Sequence, residues 1–186
     1  MLNAFPISFS TIEKPMGFSI VELMIAITIM SIAVMFGLPS YRAWVLDTQI
    51  QNAANSALNG LQKAKAEAVK RNTDVVFVFG ASTPWRIQLP GNTADCPNVG
   101  VTLLECSTTE GAKNVTGTAT PANATKITFN NFGRVTVNAS GAVTLTQIDF
   151  TTALAGSRNL RVSVGAGGNV RMCDPNLAAG TSPRAC

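Results

Sequence analysis

The sequence predicts an α+β fold: a long N-terminal helix, transmembrane in its first half, carrying an antiparallel β-sheet or β-sandwich-like globular head. Three observations predict it. Residues 18–38 form an apolar run with a single charge, Glu22. Apolar residues then recur at three- and four-residue steps as far as about residue 72, the signature of one helical face. Beyond that point the period changes to the alternation of half-buried strands.

The apolar run has 21 residues and as a helix spans roughly 31 Å, which matches the ~30 Å hydrocarbon core of a bilayer. A cleaved secretory signal peptide fits less well. The run exceeds an h-region of roughly 7–15 residues, no A-x-A-like site follows it, and Glu22 stands at its fifth place. A charge within a membrane segment is costly, so Glu22 reads as functional. Pro39 lacks a backbone donor and is expected to kink the helix. Past it, Leu46, Ile50, Ala53, Ala57, Leu61, Ala64 and Ala68 form the apolar face. Lys70 and Arg71 suit the negative end of the helix dipole, and Asn72 suits the C-cap region. Gly60, unfavourable by about 1 kcal/mol inside a helix, is expected to mark a bend.

Strands are expected at 75–79, 85–89 and 99–105, followed by a Thr/Ala/Asn/Gly-rich loop over 107–125. Strands follow at 127–132, and at 134–138 and 142–150, the last two paired as a hairpin across Ala139-Ser140-Gly141. A final hairpin joins 160–164 to 169–173 across Gly165-Ala166-Gly167-Gly168. Its parity is specific. For Val164 to share a face with Val170, Arg171 must stand opposite Ser163 and diagonal to Arg161.

The chain's chemistry is defined as much by what it lacks. There are 186 residues, only 13% of them charged and none of them histidine. That charge fraction is about half the usual ~25%. Histidine-based catalysis and most zinc sites are excluded, and no P-loop, G-x-S-x-G or H-E-x-x-H motif occurs. No enzyme activity, metal or cofactor is expected. Cys96, Cys106, Cys173 and Cys186 lack zinc or redox spacing and read as two disulfides in an oxidising compartment. Three connectivities are open; closing the shortest loops gives Cys96–Cys106 and Cys173–Cys186. The formal net charge is +4. Residues 18–125 carry seven basic and seven acidic residues, whereas 126–186 carry six basic and two acidic, which accounts for the whole excess. Arg158, Arg161, Arg171 and Arg184 are therefore candidate contacts for a partner or for DNA.

The order Lys14-Pro15-Met16-Gly17-Phe18-Ser19-Ile20-Val21-Glu22-Leu23 resembles the type III leader of type IV pilins and pseudopilins. The resemblance implies four segments: a leader at 1–17, a transmembrane and filament-core helix at 18–38, an amphipathic continuation at 39–72, and a head at 73–186. It implies that prepilin peptidase cuts between Gly17 and Phe18, that Phe18 is then N-methylated, and that Glu22 is needed for filament assembly. A carboxylate in apolar surroundings seeks a cation, and the Phe18 amine of a neighbouring subunit is the implied partner. The head, through 127–134, 168–175 and 183–186, resembles the GspH/FimT (FimU-like) branch of minor pilins and pseudopilins. The implied location is the bacterial inner membrane, single-pass with the head in the periplasm, and then a pilus or pseudopilus. The implied partners are other pilins.

Three functions follow as expectations. The first is a minor type IV pilin that primes or caps pilus assembly, serving twitching, adhesion or DNA uptake. The second is a GspH-like pseudopilin of a type II secretion system. The third is a DNA-binding minor pilin for natural transformation. DNA-binding members resemble this chain in their C-terminal arginines but carry Gly-Arg-x-Arg there, where this chain has Gly180-Thr181-Ser182-Pro183-Arg184.

Overall fold

The computed structural model describes residues 17, 19–80, 83–92, 96, 102–108, 112–153, 157–180 and 182–186. Helix α1 runs from Ile20 to Arg71, continuing through Pro39. Its first turn closes with the Leu23 amide donating to the Ser19 carbonyl at 3.1 Å. Within the apolar stretch, the hydroxyls of Thr28 and Ser31 donate to the carbonyls of Ile25 and Ile27, so neither needs an outside partner. The helix stops at Asn72, whose φ of +52° is left-handed, while the Thr73 amide reaches back to the Ala68 carbonyl at 3.2 Å. That is the C-cap chemistry expected of an asparagine.

Nine strands follow among the described residues. β1 (Val75–Phe79), β2 (Trp85–Gln88), β3 (Leu103–Ser107), β5 (Lys126–Phe129) and β6 (Val135–Thr136) make one sheet in the order β3-β2-β1-β5-β6. β4 (Val115–Thr120), β7 (Gln147–Thr152), β8 (Leu160–Val164) and β9 (Val170–Cys173) make the other, in the order β4-β7-β8-β9. All strand pairs in both sheets are antiparallel. The expected architecture, a long helix followed by antiparallel sheets, is borne out.

The backbone divides into two compact units after Ser40. The second half of α1 belongs with the sheets because its buried side, Ile50, Ala53, Ala54, Ala57, Leu61, Ala64 and Ala68, is part of their core. From the sheets this core takes Phe77, Phe79, Ile87, Ile127 and Phe129 on one side and Ile148, Phe150, Leu160 and Val162 on the other. Phe79 and Phe150 meet edge to face, with ring centroids 6.2 Å apart.

The following expectations need correction. The 107–125 segment is not all loop: Val115–Thr120 is β4. Its small, polar residues gave no strand signal, yet β7 supplies six consecutive partners for it. The hairpin between 134–138 and 142–150 does not form. β6 pairs with β5, and β7 pairs with β4 and β8 in the other sheet. The buried Asn138 takes the chain out of the first sheet: its carboxamide accepts from the Thr128 hydroxyl at 2.8 Å and donates to the Ala142 carbonyl at 2.9 Å. The strand expected over 127–132 ends at Phe129, where a tight turn at Asn130–Gly133 intervenes. Gly60 is a close-packing position beneath Trp85 and Phe77. The third strand is shifted to Leu103–Ser107, and the start of its expected range, 99–101, lies outside the described residues.

Candidate functional site

Two regions carry the residues singled out by sequence. The first is the apolar half of α1. Its large side chains are exposed along its length, from Ile20 at 78% to Phe36 at 77%. Exposed apolar surface is unfavourable by about 25 cal/mol per Å², so this stretch requires cover. It is long and apolar enough to cross a membrane. Glu22 lies in the first helical turn, exposed, where a carboxylate is favoured by the helix dipole. Gly17 is exposed just ahead of the helix. Phe18, the expected cleavage and methylation point, lies outside the described residues.

The second region is the C-terminal edge of the four-stranded sheet. The disulfides join Cys96 to Cys106 and Cys173 to Cys186. The latter holds the chain end beside β9, where the Asp174 amide donates to the Arg184 carbonyl at 2.7 Å and the Cys186 amide to the Asp174 carbonyl at 3.3 Å. The β8–β9 register is the expected one: Val164 faces Val170 and Ser163 faces Arg171.

The four candidate arginines do not form one open cationic face. Arg161 stands opposite Asp149 across β7 and β8, with its Nε 2.6 Å from a carboxylate oxygen. Arg158 Nε lies 2.9 Å from the buried Asp174, and the Arg158 backbone amide donates to Asp47 Oδ1 on the helix at 3.1 Å. Arg171 Nη2 donates to the Ala185 carbonyl at 2.6 Å. Its charge is not cancelled, but its geometry is committed to the tail. Arg184 has no side-chain partner among the described residues and joins Arg158, Gln51, Asn55 and Asp174 around a cleft of about 330 Å³. Arg158 and Arg184 are thus brought together, while Arg161 is drawn to Asp149.

The residues that sequence reasoning passed over are the acids. Asp149 and Asp174 are the two acidic residues of 126–186, and each holds an arginine. For Asp149 a signal existed: Ile148 and Phe150 point inward, so parity puts Asp149 on the same outer face as Arg161. For Asp174 the β8–β9 register, which pairs Arg161 with Cys173, already leads toward Arg158, whereas its burial had no signal along the chain.

A further junction ties the helix to both sheets. Lys65 Nζ donates to the Gly168 carbonyl at 2.9 Å, and the Val135 amide donates to the Ala166 carbonyl at 3.1 Å. Gly168, with φ +76°, lies so close to Gly133 that a Cβ there would be driven into the Gly133 carbonyl oxygen. The glycine run at 165–168 is therefore a hairpin turn pressed against a second turn.

The family model described as type II transport protein GspH matches residues 53–168. Among solved structures, the type IV minor pilin FimU of Pseudomonas aeruginosa is 16% identical, over 74% of this chain and 94% of that one, with a TM-score of 0.48. GspH of E. coli is 20% identical, over 75% and 95%, with a TM-score of 0.45. The minor pseudopilin EpsH from the type 2 secretion system of Vibrio cholerae is 13% identical, over 69% and 99%, with a TM-score of 0.50. The likeness to EpsH shows a shared fold.

Proposed function

The chain belongs to the family of type II transport protein GspH, and from that premise we propose that it is a minor type IV pilin that primes or caps pilus assembly. Its role is structural rather than enzymatic. The single observation that carries the reading is the exposed apolar helix face with one charge, Glu22, near its start. In the bilayer this face is covered by lipid; in a filament it is covered by the same face of neighbouring subunits. Prepilin peptidase cuts after Gly17, Phe18 is N-methylated, and its amine on one subunit meets Glu22 on the next. Burial of a lone carboxylate is costly and pairing offsets it, so Glu22 selects the axial register of the helices. The head stays in the periplasm until the filament carries it outward.

Replacing Glu22 by alanine tests the assignment. Glu22→Ala should leave membrane insertion intact and reduce incorporation into sheared filaments by an order of magnitude or more, as expected for about 1.4 kcal/mol or above per tenfold. Wild-type incorporation would remove Glu22 from the mechanism.

The family description itself favours a second reading, a pseudopilin of a type II secretion system. A deletion strain separates the two, since loss of surface pili and loss of secreted proteins are different phenotypes. A DNA-binding role has less support. Phosphate affinity scales with the number of available cations, and Arg158, Arg161 and Arg171 are engaged within the chain.

A further inference from the structure

Immediately beyond the apolar run lie Tyr41, Arg42 and Trp44. Tyr41 is 61% exposed and Trp44 64%, whereas Phe77, Phe79, Trp85, Phe129 and Phe150 are all buried. Three residues apart on α1, the two rings share a face, with centroids 6.1 Å apart and planes tilted by 37°. Among the described residues, neither the Tyr41 hydroxyl nor the Trp44 indole N–H has a hydrogen-bond partner, and the exposed Arg42 has no ion-pair partner. Beside them Tyr41, Arg42, Val45 and Leu46 line a mostly apolar groove of about 600 Å³ with Asn114 and Thr152.

We infer that Tyr41, Arg42 and Trp44 form an interfacial anchor that seats the start of the head in the headgroup layer of the bilayer. The inference rests on the membrane-anchored reading above. Three Cα–Cα steps separate Tyr41 from Leu38, a reach of at most about 11 Å. Wherever the apolar run leaves the hydrocarbon, Tyr41 therefore falls within or beside the headgroup region. The chemistry fits this layer better than it fits a sister helix. Tyr and Trp present an apolar body with a polar donor, the combination enriched at membrane–water boundaries. Lipid carbonyls, phosphates and water accept from both donors, and a phosphate pairs with Arg42; a helix–helix seam leaves the same groups unsatisfied. The ring pair then sets the depth at which the subunit waits before extraction into a filament.

Trp44 is itself the probe. The full chain would be reconstituted in phosphatidylcholine–phosphatidylglycerol vesicles whose acyl chains are brominated either near the headgroup or near the terminal methyl. The chain has two tryptophans. Trp85 is buried, with its indole N–H on Ser56 Oγ at 2.9 Å, so a Trp44→Phe chain gives the background and the difference is Trp44. The expected result is emission moved to shorter wavelength and stronger quenching by the shallow bromines than by the deep ones. Arg42→Glu should weaken the shallow quenching. If flotation shows the chain in the vesicles while Trp44 stays water-like and unquenched, the anchor is overturned and the membrane helix survives. Deep quenching exceeding shallow, or shielding of Trp44 only on co-assembly with other subunits, overturns it as well. Failure to float overturns both the anchor and the reading it rests on.

Discussion

Gly60 on the helix lies directly under the indole of Trp85 on β2. A Cβ at Gly60 would come within 2.8 Å of Trp85 Cε2 and 2.9 Å of Phe77 Cε2. Trp85 is stacked on Phe77 with centroids 5.6 Å apart, and its N–H is held by Ser56, one helical turn before Gly60. The spacing between helix and five-stranded sheet is set here by a residue with no side chain.

Gly60→Ala should therefore destabilise the protein although alanine is the better helix former. The propensity gain is about 1 kcal/mol, and overpacking of a full core costs about 1–3 kcal/mol. A net loss of about 1 kcal/mol is expected in urea unfolding followed by circular dichroism. In a double-mutant cycle the loss should shrink when Trp85 is replaced by leucine. A midpoint raised by Gly60→Ala would mean that the indole yields freely.

Asn138→Ala removes the polar hub that separates β6 from β7. The Thr128 hydroxyl loses its acceptor, and the carbonyls of Lys126, Ala142 and Val143 lose a shared donor. Leaving such buried groups unsatisfied costs about 1–3 kcal/mol. Thermal unfolding should show the loss, and hydrogen exchange should show faster opening at residues 138–145 than in β8. Unchanged protection there would assign the sheet crossing to packing alone.

The Cys173–Cys186 bridge closes a loop with a sequence separation of 13, which in the chain-entropy picture is worth about 3 kcal/mol. Cys186→Ser should lower stability by that order and release Ala185, so that the Arg171 guanidinium loses its carbonyl acceptor. Protease cleavage after Arg184 in Cys186→Ser but not in wild type is the expected readout. Equal resistance would show that the Asp174 backbone bonds hold the tail without the bridge.

Glu67 gives the head a defined acid response. The Arg71 guanidinium bonds its carboxyl at 2.7 Å, and with Lys70 at 3.2 Å it holds that carboxyl below its ordinary range against the opposing effect of burial. A carboxyl whose folded pKa is depressed contributes stability above its unfolded pKa and loses it as pH falls through the folded value. Glu67→Gln should thus cost about 0.5–1 kcal/mol at pH 7 and nothing at about pH 2, where both forms are neutral. Melting curves at the two pH values check it; a loss of equal size at both would assign the effect to packing.

The legible parts of this protein were those with a one-dimensional period. The apolar run, the helical face from Ile50 to Ala68 and the β8–β9 register all follow from spacing along the chain, and that register sets Arg171 opposite Ser163. β4 was not legible, because a Thr/Gly/Ala strand gains its stability from the partner strand rather than from its own residues. The crossing at Asn138 was not legible either: a buried carboxamide and a turn asparagine look alike until their partners are known.

The same division holds for the charge. Residue identities and their spacing already show that the excess of positive charge belongs to the last third of the chain, that an apolar helix with a lone Glu22 precedes the head, and that four cysteines and no histidine limit its chemistry. These are properties of composition and period, and folding does not alter them. Which cations remain available is settled by contacts between distant parts of the chain. Asp149 reaches Arg161 across the β7–β8 pair, Asp174 reaches Arg158 across the β8–β9 pair, and Gly60 proves to be a contact of Trp85 and Phe77. Each depends on residues distant in sequence meeting at contact range, where Coulomb and packing energies become large enough to matter.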